Sequence, residues 1–208
     1  MSDGATLYLL RHGQTETAPV WRYTGQREVP LTAAGREQAG QWARHLEKTG
    51  LERIWTSPLS RCADTADTIA ARLGCPFTLE PALQEIALGA WEGLSKAEVE
   101  QAFPGAFQER GANIATFRPP GGESFQDLLD RVRPWAEQAL AARRRTFAVT
   151  HAGVVRVLAC WASGAPLKRL FEYTPAPGTL SVIRVNTAER HLHALGLFIN
   201  EYHISHIE

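Results

Sequence analysis

The chain has 208 residues, enough for one domain with a substantial core. Its 22 basic and 22 acidic residues balance, so the charge gives no reason to expect a nucleic acid or an anionic membrane as partner. No apolar run approaches the roughly 18 residues that cross a bilayer, no basic leader precedes the first strand, and the three cysteines lack metal-type spacing. We therefore expect a cytoplasmic protein.

Strands and helices alternate in the first part of the chain. The run "ATLYLL" predicts a strand buried on both faces, and "LERIWTS" predicts a second strand. Between them, "LTAAGREQAGQWARHLEKTG" predicts a helix that Thr32 caps and whose apolar face includes Trp42 and Leu46. The following "PLSRCADTADTIAARLG" predicts a helix that ends at Gly74.

Two capping boxes mark helix starts in the middle of the chain, Ser95 with Glu98 and Ser124 with Asp127. The second of these helices contains Pro134, which should kink it or remove a hydrogen bond. The run "TFAVTHAGVVRVLACWASG" then repeats the opening pattern of buried strand, histidine, glycine and helix, and "GTLSVIRV" and "HLHALGLFI" predict later strands.

This alternation predicts an α/β fold, a three-layer α/β/α sandwich with a mainly parallel central sheet and helices on both faces. We expect one domain over residues 1–208. Residues 94–120 are the best candidate for a small inserted cap, and they are called the cap segment below.

Polar side chains follow three of the predicted strands, in the region where open α/β sheets bind ligands. Arg11 and His12 follow the first strand, residues 57–61 the second, and His151 the strand "FAVT". If these strands are neighbours, two arginines and two histidines converge. Arginine presents a planar fork of donors that matches phosphate, so the set predicts a phosphate pocket.

A histidine beside two arginines has a further chemical role open to it. Neighbouring cations disfavour the protonated ring, so the pKa of His12 should fall and the ring should be neutral at pH 7. With one nitrogen fixed by a backbone carbonyl, the other can attack phosphorus and form a phosphohistidine. The leaving alkoxide then needs a proton, which Glu85 could supply. Other carboxylates lie close in sequence and compete for this role: Glu80, Glu92 and Glu123.

Six blocks in order over about residues 5–160 resemble the histidine phosphatase superfamily, the phosphoglycerate mutase-like proteins. They are "LLRHGQTE", "YTGQREVPLTAAGREQA", "IWTSPLSRCADTA", "LQEIALGAWEG", "PPGGES" and "VTHAGVVR". The chain looks most like the short phosphatase branch, with α-ribazole phosphatase and the metal-independent phosphoserine phosphatases. Pro134 departs from the family pattern in the helix after Gly-Glu-Ser.

The resemblance implies roles for particular residues. His12 would be the nucleophile, Arg11 and Arg61 the phosphate clamps, Glu85 the proton donor, and His151 would complete the phosphate pocket. Four more positions match places where family members contact substrate or phosphate: Gln14, Thr15, Tyr23 and Gly25. Family members need no metal or other cofactor for this chemistry.

Histidines near the C-terminus could imitate a metal cluster: His191, His193, His203 and His206. Alternation on a strand and a polar tail explain them more simply, so we expect no metal site. The expected partner is a small phosphorylated metabolite, with no nucleic acid and no membrane, and a homodimer is left open.

Three functions are open from the sequence. The first is a metal-independent phosphomonoesterase, acting on α-ribazole 5′-phosphate, phosphoserine or several small phosphates. The second is a cofactor-dependent phosphoglycerate mutase, which must exclude water and so needs a larger lid than the short segment between "WEG" and "PPGGES" offers. The third is a non-catalytic module that binds phosphorylated partners. The cap aromatics and Tyr23 could stack a nucleoside-like base, or could only pack.

Overall fold

The computed structural model describes residues 5–16, 18–142, 145–186 and 189–201. Its strands are β1 (Thr6–Arg11), β2 (Ile54–Thr56), β3 (Phe77–Leu79), β4 (Arg145–Thr150), β5 (Leu180–Asn186) and β6 (Glu189–Leu197). Its α-helices are α1 (Ala33–Leu46), α2 (Ser60–Leu73), α3 (Lys96–Ala102), α4 (Ala106–Ala112), α5 (Phe125–Ala141) and α6 (Ala152–Ser163).

The strands form one six-stranded sheet in the order β3-β2-β4-β1-β5-β6. The first four strands in this order run parallel to one another, and β5 and β6 extend the sheet antiparallel beyond β1. The predicted α/β fold with a mainly parallel sheet is therefore confirmed. Its antiparallel edge was not predicted.

Side chains of β1 alternate between two cores, one on each face of the sheet. Leu7 and Leu9 belong to the core formed with α5 and α6. Tyr8 and Leu10 belong to the core formed with α1 and α2. All four are almost fully buried, which is the burial expected of a strand covered by helices on both faces. The three-layer arrangement follows directly.

The helix boundaries agree with the predicted start and stop signals. The amide of Gly35 donates to the Thr32 hydroxyl at 3.0 Å, both capping boxes form, and α2 ends at Gly74 with a left-handed φ of 67°. Helix α5 continues through Pro134, which lies on its exposed side. There, water can replace the hydrogen bond that proline cannot donate.

The cap segment holds the two short helices α3 and α4. Its aromatic side chains are partly buried against the core on the α5 and α6 face: Phe103, Phe107 and Phe117. Phe117 lies with its ring centroid 5.3 Å from that of the fully buried Trp91. Within the described residues, no helix is long and apolar enough to cross a membrane.

Candidate active site

The sheet order brings three of the predicted site positions to one edge. Strand β4 lies between β1 and β2, and all three are parallel, so their carboxyl ends meet. Two backbone bonds continue the pairing past the strand ends: the amide of His12 donates to the Thr150 carbonyl at 3.0 Å, and that of Ser57 donates to Val149 at 3.1 Å. His12, Ser57 and His151 are thereby placed side by side.

His12 is held as a neutral ring with one free nitrogen. Its Nδ1 lies 2.8 Å from the Gly13 carbonyl oxygen. A carbonyl only accepts, so Nδ1 carries the proton and Nε2 keeps its lone pair. Burial, with the charges of Arg11 and Arg61 as smaller causes, lowers the pKa of His12 to about 3. This is the protonation state that a nucleophile requires.

Gly13 is required by the close approach of α1 to this loop. A Cβ at Gly13 would lie 2.4 Å from the carbonyl oxygen of Gly35, and a Cβ at Gly35 would lie 2.1 Å from that of Gln14. Neither position can carry a side chain without moving backbone. The amide of Gly13 also donates to the Thr65 hydroxyl on α2 at 3.3 Å.

His151 is fully buried beside His12, with their ring centroids 5.3 Å apart. Its Nδ1 accepts a hydrogen bond from Arg61 Nε at 3.2 Å, so Nε2 carries the proton and donates to the Ser57 hydroxyl at 2.8 Å. Burial, followed by the electrostatic effect of His12 and the arginines, holds the pKa of His151 well below its ordinary value. Burial also raises the pKa of the adjacent Cys62 thiol, which therefore stays neutral.

Arg61 is 2% exposed and is fixed by three different acceptors. Besides His151, its Nη1 donates to the Arg27 carbonyl at 2.7 Å and its Nη2 to the Gly25 carbonyl at 2.8 Å. Of the five N–H donors on a guanidinium, two remain for a ligand. Gly25 belongs to the site because its carbonyl binds Arg61. Its φ of 52° favours glycine, and a Cβ at this position would lie 2.3 Å from Glu92 Oε1.

Arg11 is anchored at one end only. Its Nη1 donates to the Pro175 carbonyl at 2.7 Å, whereas its buried Nε has no hydrogen-bond partner among the described residues. A buried donor without an acceptor is costly, and an anion at this site would satisfy it. The Arg11 and Arg61 cations both lower the pKa of His12, so the two guanidinium groups act on the same ring.

The charge of the Glu85 carboxylate acts on two arginines, Arg11 and Arg156. Its Oε2 accepts from the amide of Gly153 at 3.1 Å, at the start of α6. A Cβ at Gly153 would lie 2.1 Å from Glu85 Oε1, so glycine leaves the room that this carboxylate occupies.

The carboxylates that compete with Glu85 in sequence are bound by backbone amides or by an arginine of α5. Glu80 accepts from the amide of Ala82, and Glu92 accepts from the amides of Gln26 and Leu88. Glu123 forms an ion pair with Arg131 at 2.9 Å and accepts from the amide of Ala87. Glu85 also accepts from two amides, those of Ile86 and Gly153, but of these four carboxylates it is the one whose charge acts on Arg11, which makes it the best candidate for proton transfer.

Arg131 on α5, which the sequence patterns did not single out, fixes the loop that carries Glu85. Its Nη1 donates to the carbonyls of Ala82 and Gln84 at 2.9 and 3.2 Å, and its Nη2 reaches that of Glu85 at 3.3 Å. Its Nε and Nη2 hold both oxygens of Glu123. The spacing of eight residues between Glu123 and Arg131 across a capping box is the only sequence signal for this pair.

Two of the predicted substrate contacts, Gln14 and Thr15, directly follow Gly13 in the loop that carries His12. Gln14 is exposed, and its side-chain oxygen accepts from the Thr32 hydroxyl at 3.0 Å. Thr15 is half-buried and pairs with Leu31 in an isolated β-bridge.

Tyr23, the remaining predicted contact, is buried with its ring centroid 5.3 Å from that of Trp91. Next to it, Trp21 is 64% exposed, with the two ring centroids 4.6 Å apart.

No group of three or more candidate metal ligands occurs in the described part of the chain. His191 and His193 lie on β6 with ring centroids 6.3 Å apart. His203 and His206 lie outside the described residues.

Comparisons with known proteins agree with this geometry. A model of the histidine phosphatase superfamily (branch 1) matches residues 7–197. Glucosyl-3-phosphoglycerate phosphatase of Mycolicibacterium vanbaalenii is 35% identical over 170 residues, which cover 77% of this chain and 75% of the relative. The crystal structure of α-ribazole phosphatase from Shigella flexneri matches with a TM-score of 0.82 at 25% identity, covering 92% of this chain and 96% of that one.

A third relative is much longer than the region it shares. The bifunctional protein Rv2228c of Mycobacterium tuberculosis is 41% identical over 128 residues, or 61% of this chain. The match spans about a third (35%) of that protein's length.

Proposed function

The chain belongs to the histidine phosphatase superfamily, and from that membership we propose that it hydrolyses a small phosphorylated metabolite without a metal, through a phosphohistidine at His12. The observation that carries the proposal is the neutral His12 ring, whose Nε2 keeps its lone pair. Arg11 and Arg61 lie beside this ring and each has N–H donors that bind no protein acceptor among the described residues. Nucleophile and anion clamp lie at one place.

In the first step, the Nε2 lone pair of His12 attacks phosphorus, and the bond between phosphorus and the ester oxygen breaks. Charge on the phosphoryl oxygens is stabilised by Arg11 and Arg61, and His151 completes the pocket by holding Arg61 in place. Glu85 acts as the general acid and transfers a proton to the departing alkoxide. In the second step, Glu85 accepts a proton from water as the water oxygen attacks phosphorus, and the bond to His12 breaks.

This mechanism requires no metal because two fixed guanidinium groups supply the charge that a metal ion would otherwise provide. Preorganisation supports it further. Arg61 is held by two carbonyls and a histidine, so its remaining donors are already aimed when the phosphate arrives.

The cap segment favours hydrolysis over phosphate return. A mutase must exclude water from the phosphohistidine, which asks for an extensive lid. Here α3 and α4 have seven residues each, and the aromatic side chains of the cap segment pack against the core. A non-catalytic module is disfavoured because the nucleophile, both clamps and the acid are all present together.

The names of the relatives suggest the substrate class. An α-ribazole phosphatase and a glucosyl-3-phosphoglycerate phosphatase both act on phosphate esters of small hydroxylated metabolites. We propose a substrate of this size, with α-ribazole 5′-phosphate and phosphoserine as first candidates. We also propose one domain over residues 1–208, a cytoplasmic location, and no nucleic-acid or membrane partner, since the net charge is zero.

The test is hydrolysis of p-nitrophenyl phosphate in excess chelator by wild-type protein and His12→Ala. We expect activity that survives the chelator and is lost in the variant, together with an acid-labile, alkali-stable phosphoenzyme in rapidly quenched wild-type reactions. Activity abolished by the chelator, or retained by His12→Ala, would refute the proposal.

A further inference from the structure

A serine directly after β2 lies behind the proposed phosphate clamp. Ser57 and His151 are both fully buried, and Ser57 Oγ lies 2.8 Å from His151 Nε2. On the other side of the ring, Arg61 Nε donates to His151 Nδ1 at 3.2 Å. A single imidazole ring therefore connects the serine hydroxyl to one of the two guanidinium groups of the clamp.

His151 has no N–H group left over for a ligand. An arginine N–H only donates, so Nδ1 of His151 has to be without a proton wherever this contact with Arg61 exists. The one proton of the neutral ring lies on Nε2, where Ser57 Oγ accepts it. What His151 contributes to the site is therefore the orientation of Arg61, and this contribution depends on which ring nitrogen carries the proton.

Among the described residues, Ser57 supplies the one oxygen that contacts Nε2. The second contact of Nε2 is Cys62 Sγ at 3.3 Å, and a thiol sulfur is a weak acceptor. Burial raises the pKa of this thiol, so it stays protonated, and it donates to the Thr150 carbonyl at 3.4 Å. Without the serine oxygen, the buried Nε2–H would lose its strong acceptor, whereas a proton moved to Nδ1 would face the N–H of Arg61.

The surrounding backbone fixes the position of the Ser57 hydroxyl. The amide of Ser57 donates to the Val149 carbonyl at 3.1 Å, which continues the pairing of β2 with β4. Its Oγ also accepts from the amide of Leu59 at 3.3 Å. A hydroxyl oxygen has two lone pairs, so the amide and the imidazole together use its accepting capacity. The acceptor that faces His151 is thus in place before a ligand binds.

We propose that Ser57 is a positioning residue for phosphoryl transfer. It holds the proton of His151 on Nε2, and the bare Nδ1 of His151 in turn holds the Arg61 guanidinium in its phosphate-binding orientation. Ser57 acts only through these two side chains. This inference rests on the proposed phosphatase function, but the position of the proton is measurable without any turnover.

The first test is heteronuclear NMR of the His151 ring and the Arg61 side chain in the free protein. In the wild type we expect the Nε2–H tautomer and a slowly exchanging Arg61 Nε–H. In Ser57→Ala we expect the Nδ1–H tautomer to appear and the Arg61 Nε–H to exchange about tenfold faster, the effect of one lost hydrogen bond. An Nδ1–H ring in the wild type, or an unchanged tautomer and exchange rate in Ser57→Ala, would overturn the proposal.

The second test measures the clamp through phosphate itself. Ser57→Ala should weaken competitive inhibition by inorganic phosphate and lower kcat/KM for p-nitrophenyl phosphate, each by about tenfold. The matched control is Ser181→Ala, which removes a buried hydroxyl on β5 that accepts from the Gly196 amide; it should leave both values and the NMR signals unchanged. A fall in kcat/KM with unchanged phosphate inhibition would overturn the effect on Arg61.

A second substitution guards against a packing defect. Ser57→Cys keeps the volume of the side chain but offers sulfur in place of oxygen, so it should show the same changes as Ser57→Ala even if the alanine variant does not fold. Wild-type behaviour of Ser57→Cys would overturn the role of the oxygen. An inactive wild type with the expected NMR signals would support the proton position and refute the phosphatase function, so the two failures are distinguishable.

Discussion

Replacing Arg131 by alanine should impair proton transfer more than it impairs phosphoryl attack. Arg131 holds three carbonyls between Ala82 and Glu85 and both oxygens of Glu123, so its loss frees the loop that positions Glu85. A shift of about 1 Å in an acid typically costs about a hundredfold in rate. We therefore expect glycerol 3-phosphate hydrolysis to fall about a hundredfold.

The choice of leaving group distinguishes a loss of proton transfer from a general loss of active-site structure. A p-nitrophenolate ion leaves without needing a proton, so p-nitrophenyl phosphate hydrolysis by Arg131→Ala should fall only several-fold. Arg131→Lys should lie between, because an ammonium cannot form the bidentate pair with Glu123. The matched control is Arg133→Ala, two residues along α5, whose side chain is 45% exposed.

Stability gives a second measure of the same contacts. The side chains of Arg131 and Glu123 are 25% and 23% exposed, so the pair is partly desolvated. Its loss should lower the free energy of unfolding by about 2–3 kcal/mol, and the melting temperature by roughly 5–10 °C. Equal losses on both substrates at a temperature where the variant is fully folded would refute the positioning role, since only stability or phosphate binding would then have changed.

Three further predictions concern the site directly. The His12 ring, with its pKa near 3, should stay neutral from pH 8 down to pH 4 in an NMR titration. The unfolded ring protonates near pH 6.5, so the stability that neutral His12 contributes should be fully present above pH 6.5 and be lost as the pH falls toward 3. The urea midpoint of unfolding should fall over the same range. Gly153→Ala should displace Glu85 and lower the rate of alkyl phosphate hydrolysis about a hundredfold. The control is Gly40→Ala in α1, where the nearest atom is 3.6 Å from the new Cβ; it should raise the free energy of unfolding in urea by about 0.5–1 kcal/mol. Arg61→Lys should lower kcat/KM by roughly 10²–10³ through loss of its three fixed contacts and the planar fork, and a near-wild-type value would remove Arg61 from the clamp.

Local structure was predictable because its signals are local. Thr32 and the two capping boxes bind free backbone amides at helix starts, and Gly74 ends a helix. Each of these signals lies within a few residues of the helix end it marks, and the structure has all of them. The residues at the strand ends were also predictable, because a strand that stops at Arg11 and His12 points to a site.

The arrangement of distant segments was not predictable from the same patterns. Nothing local to β4 says that it lies between β1 and β2, or that β5 joins antiparallel. Arg131 and Arg156 read as ordinary helix residues, because their roles depend on carbonyls and charges contributed by other parts of the chain.

The sheet order also constrains when the protein can become active as it is synthesised. Strand β4 lies between β1 and β2 but is made after both, some 90 residues later than β2. Strands β1 and β2 are joined only through β4, so the parallel sheet between them cannot form until β4 has left the ribosome, and closing such long loops slows folding. His12 and Arg61 emerge early, but their acceptors on Thr150 and His151 emerge late. A growing chain therefore carries His12 and Arg61 for most of its synthesis before the segments that complete the candidate site have been made.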